Sequence, residues 1–542
     1  MSLRVAIKTS HGFITGNATD SHDSLIEKRH MRGVKEEQHG FTPDGRLFLD
    51  RIAAIRWIAV NEKDVFKKLI GRVDSKGLYS ALYHEVKGIG HKEPEAPVVH
   101  EPSKAPDVSK MKAIVVDYGY HTYMADRLSR EYGEVFYYRA DWRGFFPTSD
   151  KQKVGHGFKN YERILKFWDY VDKADIVIFF SLYDDDLQKA LRKMGHTVYG
   201  PGPGYTETDK WLLYHVLLSG TGKEDKDLLK FYGLDGLSVN LPVIPTELIV
   251  SLDSLKKRLK DAKDLYITPR YTYDRGDMET EHFEDFEKFI TVLRELSYET
   301  EYEEEEKEFI VRPKVESSCE SGYDEFQIDG QSSPYVTMGN ENKDETYICK
   351  AVKLSELPEA LEKIRAAMAP VYAKLGYRGN HSTEVRFDEK GTGLFLDDTC
   401  RKGQPPGEIW SELWQDYGAN IYQVAKGETP NMKPVAKYAA QINLHSPWLV
   451  NNWVPVSYPK EIAPWVKLRN NTVVGGREYC LPFDKEKTLG SVIGLGNTVD
   501  EAVKNCLEYL KEFWAHKLYA KEESFEEVKK AMKAGEQWEI KL

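Results

Sequence analysis

The residues best able to do chemistry lie in STEVRFDEKGTGLFLDDTCR, positions 382–401. Glu384 and Asp397 stand thirteen residues apart, with Lys390 and Gly391 between them as a turn signal. On two antiparallel strands joined by that turn, the two carboxylates sit side by side. Asp397, Thr399 and Arg401 alternate, so they project from one face of their strand. Two carboxylates and a hydroxyl oxygen make a hard-oxygen site suited to Mg²⁺, and an adjacent arginine suits a phosphate. A solvated hairpin face with a cross-strand charge pair uses the same residues, and spacing leaves both readings open. Asn380, His381 and Ser382 precede Glu384 on the same strand, and His381 reads as a hydrogen-bonded structural histidine or as a base. The loop RKGQPPGEIWSELW (401–414) follows, where Lys402, Gly403, Pro405 and Pro406 predict a rigid turn.

Other elements must position this hairpin. HKEPEAPVVHEPSKAPDVSK (91–110) has no apolar periodicity and reads as a linker that sets off residues 1–90. Beyond it, KAIVVD (112–117), EVFYYRA (134–140), ADIVIFFSLY (174–183) and HTVYGPG (196–202) read as strands. Helical spacing separates them, including a long stretch over 157–172 and DDLQKALRKMG closed by Gly195. Strands alternating with helices over 111–205 predict a parallel, doubly wound sheet. Its first turn reads DYGYHTY, not GxGxxG, which argues against a dinucleotide-binding oxidoreductase.

From 206 to 430 the pattern is α+β. A helix starts near Asp209 and Lys210, and DLYITPRYTYDRGDMETEHF reads as strand, polar loop and helix start. YETEYEEEEKE (298–308) is an acidic run expected to be a solvated loop. EFIVRPKVES, YDEFQIDGQ and TYICKAV read as strands. A further α+β segment covers 431–515, its last helix capped by Thr498 with Glu501 completing a capping box. The aromatic stretch LHSPWLVNNWVPVSYPKEIAPWV reads as packing surface, and 516–542 as a helical tail docking on the body.

The chain has 542 residues, enough for several domains, with 41% hydrophobic and 30% charged residues. A net charge of −11 is a poor basis for sequence-independent binding of nucleic acid, which needs a basic face. No apolar run reaches the roughly 20 residues of a membrane span, and MSLRVAIKTSHG has no signal-peptide core, so a cytoplasmic protein is expected. The five cysteines form no CxxC and are expected to be buried, idle thiols. His30 and His39 lie too far from any cysteine pair to suggest zinc.

Taken together, the segment 384–401 resembles the metal-binding end of the ATP-grasp superfamily, whose pattern is an acid followed at like spacing by Glu-x-Asn-x-Arg. Here it reads Glu384, then Asp397, Thr399 and Arg401, with Asp for Glu and Thr for Asn. The layout is similar to that of phosphoribosylamine–glycine ligases. It implies a Rossmann-like pre-ATP-grasp domain (111–205), a two-lobed ATP-grasp domain (206–430) and a small C-terminal α+β domain, in which GSVIGLGNTVDEA resembles a strand-to-helix signature. The resemblance implies metal ligation by Glu384, Asp397 and Thr399, with ATP and Mg²⁺ (or Mn²⁺) as cofactors. Lys210, Thr268, Arg270, Gly276, Arg312, Glu320 and Lys350 take nucleotide-binding positions, and Arg401 and Arg275 offset charge on the transferred phosphoryl group. Two positions depart from the family. Thr268 stands where a lysine normally touches the α-phosphate, and Arg312 stands near the usual hinge acid.

The implied activity is ligation of a small carboxylate to an amine or thiol through an acyl phosphate, by a monomer or homodimer. The alternative is a non-catalytic protein on the same scaffold. The N-terminal segments GFTPDGRLFLDRIAAIRWI (40–58) and LYSALYHE (78–85) resemble a small module of phage proteins, which implies a phage origin and a host-cytoplasmic location.

Overall fold

The computed structural model describes residues 104–140, 149–260, 262, 264–271, 281–283, 307–315, 319–483 and 486–540, together with the backbone of four strands before them. The chain divides into two compact units, Met1–Ala96 with Ser219–Ser238, and Pro97–Leu218 with Val239–Leu542. In the first, Gly12–Thr15, Arg4–Thr9, His39–Thr42 and Leu49–Asp50 form an antiparallel sheet in that order. The helix Lys226–Phe231 belongs to the same unit and is capped by the Asp225 carboxylate. His30, the segment 78–85 and most of the expected linker lie outside the described residues.

The second unit begins with the expected parallel sheet. Its order is Glu162–Ile164, Glu134–Arg139, Lys112–Asp117, Ile176–Phe179, Val198–Tyr199. Ile114 and Val116 pack on one side and Ala113 and Val115 on the other, so the strand reads as an unbroken apolar run. The helix expected over 157–172 is absent. Tyr161, Ile164, Phe167 and Val171 are all buried, and their spacing imitates a helix stripe. The parallel sheet instead recruits Glu162–Ile164 as its edge strand, and two 3₁₀ turns, Phe167–Asp169 and Val171–Lys173, follow. Sheet pairing overrides the local pattern.

The next layer is a small antiparallel sheet in the order Glu247–Val250, Glu308–Pro313, Leu265–Pro269, Glu281–Phe283. The helix Leu252–Leu259 lays Leu252, Leu255 and Leu259 against its Ile267, Phe309 and Val311. Glu281–Phe283, expected to open a helix, is a strand because it pairs with Leu265–Ile267.

A ten-stranded sheet forms the body. Its path is Cys319–Ser321, Arg378–Phe387, Asp324–Ile328, Tyr335–Asn342, Thr346–Lys353, Tyr438–His445, Thr488–Gly496, Val466–Leu468, with Gly393–Thr399 added beside Arg378–Phe387 and Gln331–Ser332 beside Asp324–Ile328. Thr346 pairs with Ile442, so hydrogen bonding runs unbroken across residue 430. The helix Glu359–Leu375 buries Leu361, Ile364, Met368, Val371 and Tyr372. Thr498 Oγ1 accepts from the Glu501 N–H at 3.1 Å and caps Val499–Glu512, while Glu501 accepts at 2.8 Å from the N–H of Asn497, one residue before the cap, rather than from that of Thr498 as a capping box would have it. From the aromatic stretch, Leu449, Val454, Val456 and Ile462 enter a core, and Trp465 stacks on Tyr509. The tail helix Ser524–Gly535 docks through Phe525, Val528 and Met532. All five cysteines are free and buried. Among the described residues no helix is long and apolar enough to cross a membrane.

Candidate active site

The hairpin is closed by the Asp388 carboxylate, which accepts from the N–H groups of Lys390 (2.9 Å) and Thr392 (2.8 Å). Gly391 at its tip has φ +81°. The register sets Glu384 opposite Asp397 and Ser382 opposite Thr399, with a bulge between Glu384 and Val385. The thirteen-residue spacing therefore resolves into direct cross-strand neighbours, whose β-carbons stand about 5 Å apart in such pairs. Asp398 turns to the opposite face and is fully buried.

Asp397 and Glu384 differ in their partners. The Lys210 ammonium contacts both oxygens of Asp397, at 2.6 Å for Oδ2. Lys210 is presented by the first turn of Lys210–Leu217, whose N-cap Asp209 accepts from the Trp211 and Leu212 N–H groups. Glu384 is exposed to solvent and has no ion pair among the described residues. The protein around this exposed carboxylate weakens its hydration, and Asp397, Glu320 and Glu341 repel its charge. These push its carboxyl well above the ordinary glutamate range against the pull of Lys210. Glu341 is raised to about 7, by desolvation first and Glu320 next.

Arg401 is a third exposed, and its Nε donates to Glu207 Oε1 at 2.7 Å. Glu207, on Tyr205–Thr208, is buried, and its other oxygen accepts from the Cys400 N–H. Burial raises the Glu207 carboxyl, and Arg401 and Lys210 oppose that rise. Beside it, Thr206 donates to Asp398.

Several expected nucleotide contacts are already spoken for. Arg270 donates to Asp209 from Nε (2.9 Å) and Nη2 (2.8 Å), and to Glu308 from Nη1 (2.9 Å), so it braces the small sheet against the Lys210 helix. Burial opposes its charge, but Asp209 and Glu308 outweigh burial and hold its pKa above the usual value. Glu320 pairs with Arg386 at 2.6 Å. Thr268 is buried on the small-sheet face that also carries Tyr266 and Arg312. Arg312 Nη1 donates to the Leu396 carbonyl at 3.1 Å, and Arg386 lies over the Tyr266 ring, so this face is turned to the hairpin. Burial lowers the Arg312 pKa, and Asp397 works against that. Lys350 is not brought to the acids. Its strand lies three places along the sheet from Arg378–Phe387, and its charged neighbours are Lys437 and Glu356. Arg275 and Gly276 lie outside the described residues.

His381 is a structural histidine. It is fully buried, with Nε2 2.6 Å from Asp398 and Nδ1 3.3 Å from Glu325. Burial opposes its charge, but the two acids push its pKa up to about 9. Lys402 is drawn inward from the expected turn. Its ammonium is 3.0 Å from the Tyr417 hydroxyl and lies over the rings of Phe180 and Tyr417, and burial lowers its pKa to about 7. In the parallel sheet's first turn, the Gly119 and His121 N–H groups bond the Asp117 carboxylate, at 2.9 Å and 3.2 Å. Those two amides are committed within the protein.

Glu207, Glu341 and Asp398 escaped the sequence reading. An acid three residues before Lys210 was the one available signal for Glu207. A glutamate near the end of a strand and an aspartate facing a core carried none. Among the described residues no three His, Cys, Asp or Glu side chains converge as a ready metal cage. The pair Glu384 and Asp397 suits an ion that takes one or two protein carboxylates and completes its shell with phosphate and water, as Mg²⁺ does.

No family model matches the sequence, and no curated protein matches it either. Solved structures do share the fold. Phosphoribosylamine–glycine ligase from Thermotoga maritima is 12% identical with a TM-score of 0.52, over 75% of this chain and 98% of that one. The biotin carboxylase domain of Hydrogenobacter thermophilus 2-oxoglutarate carboxylase, solved with MgADP and bicarbonate, is 12% identical with a TM-score of 0.51, over 76% and 92%. Biotin carboxylase from Campylobacter jejuni, solved with a β-γ-ATP complex, is 12% identical with a TM-score of 0.51, over 76% and 94%. The chain shares the mixed α/β multidomain fold of these solved structures.

Proposed function

We propose that this chain is an ATP-dependent ligase that joins a small carboxylate to an amine or thiol through an acyl phosphate. One observation carries the reading: Glu384 faces Asp397 across a hairpin whose outgoing strand leads directly to Arg401. In this reading Glu384, Asp397 and Thr399 hold Mg²⁺ or Mn²⁺, which supplies charge neutralisation for the nucleotide phosphates. Lys210 moves from Asp397 toward the phosphates, and Arg401 offsets charge on the γ-phosphoryl group. A substrate carboxylate oxygen bonds to the γ-phosphorus as the bond to the ADP oxygen breaks. The amine then bonds to the acyl carbon, phosphate leaves with the C–O electron pair, and the amine loses a proton. Stabilisation of charge rather than a protein nucleophile carries the work, in keeping with a hairpin that carries two facing acids and leads to an arginine.

The reading includes the division into 1–90, linker 91–110, pre-ATP-grasp 111–205, ATP-grasp 206–430, C-terminal 431–515 and tail 516–542. It includes a cytoplasmic monomer or homodimer acting on small molecules, without nucleic acid. The test is calorimetry with millimolar ATP and Mg²⁺. Binding that requires both supports the ligase, and silence with both rejects it. A non-catalytic scaffold of phage origin is the second reading, favoured by Thr268, by the turned Arg312 and by Lys210 occupying Asp397. Nucleotide binding without ADP release under any acid and amine supplied would favour it.

A further inference from the structure

Residues 206–210 and 397–401 meet as two facing runs. Lys210 holds Asp397, Thr206 donates to Asp398, and Glu207 takes both the Cys400 N–H and Arg401 Nε. Glu207 thus grips one residue's peptide and the next residue's side chain with a single carboxylate. Among the described residues the hydrogen bonds of the Arg401 guanidinium use Nε alone. Glu207 is 8% exposed and Arg401 is 34% exposed. The acid is therefore the more deeply set of the two, and the two Nη groups of Arg401 make no hydrogen bond among the described residues. A guanidinium fixed in this way keeps its Nη edge for bidentate contact with an anion.

We propose that Glu207 is a positioning residue, which orients Arg401 so that its Nη groups meet the terminal phosphate of a bound nucleoside triphosphate. This rests on the ligase reading above. Without the carboxylate, the guanidinium keeps its charge but loses its fixed direction, and the terminal phosphate loses its charge-assisted hydrogen bonds.

The full chain is titrated by calorimetry with β,γ-imido-ATP and with ADP, each with Mg²⁺. The wild type is expected to prefer the triphosphate by roughly tenfold or more, the worth of charge-assisted hydrogen bonds. Arg401→Ala abolishes that preference and leaves ADP affinity unchanged. Glu207→Gln, which keeps the acceptor for the Cys400 N–H, loses most of the preference with ADP affinity likewise unchanged. The double variant is no worse than Arg401→Ala alone. A merely structural Glu207 would weaken both nucleotides alike, and that result overturns the inference. So does a Glu207→Gln variant with full preference beside an Arg401→Ala variant with none. Equal affinity of the wild type for both nucleotides removes Arg401 from the terminal phosphate while nucleotide binding stands. Binding of neither sinks the ligase reading itself. Should Glu207→Gln not fold, Glu207→Asp, with its charge withdrawn by one methylene, is expected to lose part of the preference, and full retention overturns the proposal.

Discussion

The Lys210 ammonium sits on Asp397, with one oxygen at 2.6 Å, and Glu384 directly across the hairpin has no such partner among the described residues. One acid of the pair is neutralised from within and the other is open. A divalent ion binding here has to displace an internal cation. Lys210→Met is therefore expected to raise the affinity of the nucleotide-free protein for Mn²⁺ several-fold, in line with about 1 kcal/mol for a partly exposed pair. Electron paramagnetic titration of free Mn²⁺ reads this directly, and unchanged or weaker binding would remove Lys210 from competition.

Asp397→Asn keeps the shape and removes the charge. ADP production is expected to disappear while the melting transition stays cooperative, since Asp397 is partly exposed and only Lys210 loses its partner. Retained turnover would exclude Asp397 from metal binding.

His381 makes stability depend on pH. Its folded pKa of about 9 lies above the ordinary 6.5, so its contribution is complete below 6.5 and is lost as pH rises through 9. That contribution is on the order of 3 kcal/mol. Urea melts from pH 7 to 10 should show falling stability in the wild type. His381→Asn should be less stable at pH 7 by about 3–5 kcal/mol, because Asp398 and Glu325 remain buried without their cation. Its alkaline slope should be shallower, and equal slopes would place the titration elsewhere.

The tail reaches the hairpin tip. A β-carbon at Gly391 would stand 2.7 Å from the Trp538 ring, at a φ of +81° that side chains rarely adopt. Gly391→Ala is expected to cost about 1–3 kcal/mol, combining the left-handed conformation with the clash. Adding Trp538→Ala should recover the clash and leave the backbone part, as a thermal double-mutant cycle would report.

Thr498→Ala removes the cap on Val499–Glu512 and is expected to cost about 1 kcal/mol by chemical denaturation, with no change in nucleotide binding.

Local chemistry made much of this legible. Alternation along Asp397, Thr399 and Arg401, with a glycine turn before them, predicted the hairpin and the facing acids. Thr498 with Glu501 predicted a helix start, and the apolar runs at 112–117 and 174–183 predicted buried parallel strands. Each rests on neighbours within a few residues, or on a turn that forces the register. The stretch 157–172 failed for the converse reason. Its buried residues have helical spacing, yet the sheet edge needed a strand there.

The sequence by itself determined which side chains share a strand face and where chains turn, because backbone periodicity and turn conformations are local properties. Tertiary structure alone decided that Lys210 would meet Asp397 across 187 residues and Glu207 would meet Arg401 across 194. It also decided that Arg270 would be spent on Asp209, that Lys402 would turn inward, and that Lys350 would stand apart. Charges act through space, so their partners are chosen by how whole layers pack.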